Sequence, residues 1–372
     1  MPFANFSILK YISNLPGWRT NRKIIVIESD DWGSIRMPSM EAFNSLLQGG
    51  IDVGRGYYNK FDSLECNKDL ESVFEVLSSF KDRNGNHPVF TGVCVVANPD
   101  FKKIKESEYQ RYYYEPFSET LKRYPAHDRV LDLWKEGAKE RLFVPQFHGR
   151  EHLNVKQWLR DLQGRNKHTM LAFENGLWGI SSPLIAEGYQ AAFDLKRPED
   201  LDYLSTVIEE GLDLFENIMS YSAKFFVPSN GPFNLKLEEP LHRKGIKYIM
   251  LYKRQKEPLG NGRFKTHYHY LGKSNQCGQI YLSRNASFEP SAGGIDWVGS
   301  CLKEITISFQ LKKPATISTH RVNYIGFLDE KNRERGIRQL SELLGKIINT
   351  WPDVEFMTSV DLGDLISNKN YN

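Results

Sequence analysis

Short runs of β-branched and aromatic residues recur along the chain, and between most of them the apolar positions repeat at helical spacing. Lys23–Ser29 (KIIVIES) is a continuous apolar run ending in acidic residues, the pattern of a parallel strand buried on both faces. Similar runs predict strands over Pro88–Ala97, Leu142–His148, Lys224–Pro228, Lys247–Tyr252, Ala315–His320 and Val354–Thr358. Helical spacing with start and stop residues predicts helices over Pro38–Gly50, Asn67–Asp82, Asp128–Glu140, Asn154–Gln163 and Glu199–Tyr221. Further helices are expected over Leu237–Lys244, Trp297–Gln310, Glu330–Asn349 and Val360–Ile366. Seven strands, nearly all separated by helices, imply an α/β fold with a parallel sheet and right-handed crossovers, and their number suits a closed barrel. No repeat, low-complexity stretch or long linker divides the chain, so residues 1–372 read as one domain with elaborated loops. The long segments are Asn98–Ala126, Gln163–Pro198 and Lys253–Ile295. The first carries a tyrosine-rich stretch, Tyr109–Phe117, that suits either stacking on sugar rings or covering a neighbouring helix.

Composition narrows the function classes. Forty-nine basic residues against forty-six acidic ones leave a net charge of +3, so no broad attraction to nucleic acid or anionic membrane is expected. No basic stripe with interleaved aromatics stands out along the sequence. The longest apolar runs are too short to span a bilayer, and Met1–Arg19 lacks the charged-then-apolar pattern of a signal peptide. Four cysteines, Cys66, Cys94, Cys277 and Cys301, are widely spaced without a CxxC pair and read as reduced thiols. A cytoplasmic protein is the expectation.

In parallel α/β folds chemistry gathers at the carboxyl ends of strands. The first strand ends in Asp30-Asp31-Trp32, the third at His148-Gly-Arg-Glu-His152, the fourth at Pro228-Ser-Asn230-Gly231-Pro232 and the sixth at Thr319-His320-Arg321. Adjacent carboxylates suit a solvated turn or a helix cap unless a cation joins them. His148 and His152, four apart, would share one face if a helix began at Gly149, a spacing that suits a divalent transition metal. With Asp31 they would leave open positions for water and substrate, as a catalytic site requires. His320 alone reads equally well as a satisfied core histidine. His267-Tyr-His269 has no supporting carboxylate nearby in sequence and reads as loop decoration.

Taken in order, these residues resemble the polysaccharide deacetylases, the NodB-homology group of carbohydrate esterases. The matching segments are Ile27-Glu-Ser-Asp30-Asp31, His148 to His152, Phe226-Val-Pro-Ser-Asn-Gly231, Asp296-Trp297 and Ile317-Ser-Thr-His320. Glu355-Phe-Met-Thr-Ser359 resembles the family's closing strand. The resemblance implies a distorted (β/α)7 barrel and a divalent metal, zinc above all, held by Asp31, His148 and His152. It implies Asp30 as general base, and His320 as general acid oriented in part by Asp296. Trp32, Asn230, Gly231 and Trp297 would face the substrate, with a backbone N–H near Asn230 or Gly231 meeting the oxyanion. The sequence departs from the family pattern at Val227, where an arginine usually tethers the base, at Asn230 in place of tyrosine, and at Trp32 in place of glycine. Arg150 and Arg36 are the nearest replacements for the tether. The implied substrate is an N-acetylated sugar or glycan precursor. The alternatives are hydrolysis of a non-sugar amide, or a barrel that binds carbohydrate without turning it over.

Overall fold

The computed structural model describes residues 10–185 and 188–368, so the first nine residues of the N-terminal segment read above lie outside the described residues. In chain order the strands are β1 (Lys23–Trp32), β2 (Phe90–Val95), β3 (Ala97–Pro99), β4 (Tyr114–Pro116), β5 (Phe143–Gly149), β6 (Phe225–Phe226) and β7 (Tyr248–Met250). They continue with β8 (Arg254–Gly260), β9 (Arg263–Tyr268), β10 (Ile280–Leu282), β11 (Ala286–Ser287), β12 (Ala315–His320) and β13 (Val354–Met357). The main sheet runs β10-β7-β6-β5-β2-β1-β12-β11, with β13 beside the amino-terminal half of β1. Every pairing in it is parallel. It contains all seven predicted strands and gains two from the long segment after β7.

Those two additions close the architecture. β10 and β11 are the opposite edges of the sheet, yet only Ser283, Arg284 and Asn285 separate them. Four residue steps of extended chain reach at most about 14 Å, so the sheet must curl until its edges nearly meet. The result is a distorted half-barrel with helices packed outside. Chain alternation then sorts the side chains of β1. Ile25 and Ile27 pack in the large cluster under the outer helices, whereas Ile24 and Val26 join Val93, Phe225, Tyr248, Met250 and Leu362 in a separate inner cluster. Continuing that parity puts Glu28 and Asp30 on the inner side. The barrel interior is therefore apolar where β1 begins and ionic where it ends.

The predicted helices all form, with ends shifted by a few residues. The three long segments hold structure of their own: the β3–β4 and β8–β9 hairpins and the helices Phe101–Glu106, Phe117–Leu121 and Lys167–Glu174. The tyrosine-rich stretch takes the packing alternative. Tyr109 is buried against Phe173 at 5.2 Å, and Tyr112 and Tyr113 pack on the cluster around Trp158. All four cysteines are unpaired. Among the described residues no helix is long and apolar enough to cross a membrane.

Candidate active site

At the carboxyl end of β1 the strand must present two consecutive carboxylates to one side, which regular pleating forbids. Asp31 resolves this by adopting φ 77°, a left-handed conformation that asparagine and aspartate tolerate better than most residues. The pairing of β1 with β2 shifts register between Ser29 and Trp32 at the same place. Asp30 and Asp31 thereby both reach the barrel mouth. The swivel sends Trp32 the other way: fully buried, its ring lies edge-on to Phe143 at 5.0 Å and its Nε1 donates to Ser29 Oγ at 2.9 Å. Trp32, expected to face substrate, is a core residue.

His148 and His152 do converge on Asp31, though not on one helix face. Gly149 ends β5 with φ 139°, and the next helix begins only at Val155, so His148 comes from a strand and His152 from the loop after it. The nearest side-chain atoms of Asp31, His148 and His152 all lie within 4.8 Å of one another, and all three residues are buried. Asp31 Oδ1 is 3.0 Å from His152 Nε2 and 3.5 Å from His148 Nε2. His148 Nδ1 lies 2.7 Å from the Val227 carbonyl. A proton on Nδ1 would bond that oxygen and leave the Nε2 lone pair facing Asp31, the outer support typical of a metal-bound histidine. Burial lowers the His152 pKa to about 4 despite the Asp31 carboxylate, so this ring is neutral. Asp31 stays ionised: His152 and Arg36 outweigh its burial and hold it well below the usual range.

Asp30 is anchored by an arginine that the sequence did not single out. Arg284, in the link between β10 and β11, donates to both Asp30 oxygens at 2.6 and 2.7 Å and to Glu28 Oε2 at 2.6 Å. Arg284 holds Asp30 below its ordinary pKa although burial acts the other way. Burial raises the pKa of Glu28, which Arg284 only partly offsets. The expected tethers lie elsewhere. Arg36 sits 3.3 Å from Asp31 Oδ2 and 3.4 Å from Asp62 Oδ2, whereas Arg150 pairs with Glu151 and Glu210.

His320, at the end of β12, lies with Nε2 3.9 Å from Asp30 Oδ2, and its Nδ1 meets Glu289 Oε1 at 2.6 Å. Asn323 Nδ2 in turn donates to Glu289 Oε2 at 2.7 Å. Burial disfavours the imidazolium, but Glu289 and the two aspartates overcome it and raise the pKa to about 9. Asp296, the expected orienting group, instead caps the helix Trp297–Gln310 through the Gly299 N–H at 2.9 Å. Glu289, not Asp296, is the carboxylate that meets the His320 ring. Trp297 opens that helix, its Nε1 bonded to the Gly293 carbonyl. Asn230 and Gly231 form a left-handed turn after β6, but the Gly231 N–H already donates to Pro228 O. Of that pair only the Asn230 N–H has no hydrogen-bond partner among the described residues. Tyr58, also unforeseen, sets its ring edge-to-face with His320 at 5.7 Å.

Behind Asp31 lies a buried ionic chain. Arg321 holds Asp62 with two nitrogens at 3.1 Å and Glu65 at 2.7 Å, and Glu65 accepts the Gly33 N–H. Burial pushes Asp62 up to about 6 and Glu65 up to about 7. Six acidic groups, Glu28, Asp30, Asp31, Asp62, Glu65 and Glu289, thus face four cations, Arg36, Arg284, Arg321 and the His320 imidazolium. A cluster so short of positive charge, with two imidazoles and a carboxylate converging at its centre, fits a divalent cation. Substituting His148→Ala should take metal content from near one equivalent per chain to near zero in tag-free protein, read by mass spectrometry. Undiminished content would remove this triad as the site.

No family model matches the chain, and no curated protein matches it in sequence. Several solved structures similar to it are polysaccharide deacetylases by description. One from Mycobacterium smegmatis, classed as a polysaccharide deacetylase, is 10% identical over 96% of this chain and 95% of its own, with a TM-score of 0.46. Another, from Pseudomonas aeruginosa, is 9% identical over 95% and 93% at 0.45. PuuE allantoinase is 10% identical over 97% of both chains at 0.49. At such identities the likeness says nothing about chemistry, which has to be read from the side chains.

Proposed function

We propose that this protein is a metal-dependent amide hydrolase that removes acetyl groups from an N-acetylated saccharide. The observation that carries the reading is the pair of groups held beside the triad: Arg284 grips both oxygens of Asp30, and Glu289 holds Nδ1 of His320, whose Nε2 lies 3.9 Å from Asp30. Acid–base hydrolysis needs one proton acceptor and one donor at the same pH, and a pair of titratable groups pushed apart in pKa supplies both. Asp31, His148 and His152 would hold the cation, zinc by the resemblance, although this donor set also accepts other divalent ions. When bound, it would supply a Lewis acid for the carbonyl oxygen and a water nucleophilic at neutral pH. Asp30 takes the proton of the attacking water on a carboxylate oxygen. His320 Nε2 delivers a proton to the leaving amine, while Glu289 holds Nδ1 and stabilises the positive ring. The Asn230 N–H supports the developing oxyanion.

The test is acetate release from N-acetylated amino sugars and from simple amides, before and after chelation and metal restoration. Release from sugars alone, lost with the metal, supports the reading; release from simple amides alone points to a non-sugar hydrolase. Glu289→Gln gives a finer check. His320 is active when protonated, so kcat/KM falls as pH rises through its pKa. Without the Glu289 charge the alkaline limb should move from near 9 toward the ordinary imidazole value of about 6.5. A limb that stays in place would sever Glu289 from the acid.

A further inference from the structure

The β8–β9 hairpin packs one face on the segment after β6 and leaves a charged face exposed. Across it Arg254 pairs with Tyr268, Lys256 with Thr266, and Pro258 with Phe264, so these residues share a face. Gln255 and Glu257 lie on the opposite face and are buried. Phe264 is 56% exposed and Tyr268 66%, and Arg254 and Lys256 are exposed as well. No ion pair among the described residues neutralises either cation. The surface alternates guanidinium, phenol, ammonium and phenyl in a chain whose net charge is only +3. The linear sequence hides this stripe, because strand pairing sets side by side residues separated along the chain.

The stripe runs into a cavity of about 310 Å³ lined by Asn230, Gly231, Pro232, Tyr252, Arg254 and Lys256. Gly231, at φ 93°, is what lets the Tyr252 ring lie against the turn, since a Cβ there would fall 1.9 Å from that ring. This turn follows Val227, whose carbonyl holds the candidate metal ligand His148. Three residue steps of chain thus join the cavity's Asn230 to the carbonyl that holds His148, and cation–aromatic alternation is the chemistry that binds anionic rings: aromatic faces stack on sugars and the cations meet carboxylate or phosphate.

We infer that the hairpin and this cavity form an extended subsite for an acidic glycan, one that carries carboxylate or phosphate on sugars flanking the acetamido group. The inference rests on the saccharide reading above and narrows its substrate to a charged oligosaccharide. The test is binding rather than turnover. Titration calorimetry would compare hyaluronan hexasaccharide (carboxylate), N-acetylglucosamine 1-phosphate (phosphate), neutral chitohexaose and a single-stranded oligothymidylate on the full chain. At least tenfold tighter binding of an anionic sugar than of chitohexaose is expected. The advantage should weaken with salt and vanish in R254Q/K256Q protein whose circular dichroism is unchanged; Tyr268→Ala provides a second variant. The two anionic sugars separate carboxylate from phosphate recognition. Equal binding of charged and neutral sugars, an advantage that survives R254Q/K256Q, or oligothymidylate binding as tight as the sugars would each overturn the inference. Charge-selective sugar binding with no acetate released from any sugar would instead sink the hydrolase reading and leave the subsite standing.

Discussion

Asp30→Asn should lower acetate release by about two to four orders of magnitude, the usual contribution of a positioned general base, while metal content stays near one equivalent per chain. The split follows from geometry. Asp31, not Asp30, faces both imidazoles, so the cation loses no ligand. The amide is nearly isosteric and can still accept from Arg284, so the fold should survive. Measuring kcat and metal on the same preparation checks both halves. Undiminished turnover would remove Asp30 as the base, and lost metal would make it a ligand.

Arg284→Met should be the most damaging single change at this end of the barrel. It strips the counter-charge from Glu28, which is fully buried, and from Asp30. Breaking a buried ion pair from one side costs about 3–5 kcal/mol, because the remaining charge stays desolvated. The pH dependence identifies the cause. In the native protein Asp30 has a depressed pKa, so its stabilisation is present above the unfolded value and is lost as pH falls through the folded one. In the variant burial loses its chief opponent, with only His148 and His320 still acting against it, and the folded pKa should rise. The deficit should then be largest at neutral pH and shrink in acid, as protonation removes the stranded charge. Urea unfolding at pH 7 and pH 5 reads this directly, and the acid limb of the rate profile should move up with it. A deficit equal at both pH values would mean that Arg284 matters for packing alone. Arg284→Lys should recover part of the stability but not the two-pronged hold on Asp30.

Much of the fold was legible because strands buried on both faces must be continuously apolar, and Ile24–Ile27 or Ala315–Ile317 can hardly be anything else. The meeting of Asp31, His148 and His152 was legible because polar groups gather at strand ends. The tether was not. Arg284 lies between strands of three and two residues, too short to carry any periodicity, within a segment that reads as loop. Glu289 was missed for the same reason, while Asp296, nearer the expected motif, satisfies a helix end instead. His267 shows the converse: its carboxylate partner, Glu257 at 2.7 Å, is reached only across the hairpin, ten residues back. The break at Gly149 also escaped pattern reading, since helical spacing offered an easier and incorrect account of how His148 and His152 meet.

The neighbours of β1 have a consequence for biosynthesis. Among the described strands β1 comes first in the chain, yet one of its edges pairs with β12 and the other partly with β13, the two that come last. Until residues 315–357 emerge, its apolar run carries unpaired N–H and C=O groups, the template on which edge-to-edge aggregation starts. Until Arg284 emerges, Glu28 and Asp30 have no guanidinium to meet. β2 can join one edge early, but full pairing of β1 must wait for residues 315–357, and fragments that stop before β12 should collect as aggregates or on chaperones rather than as a smaller, partly active barrel.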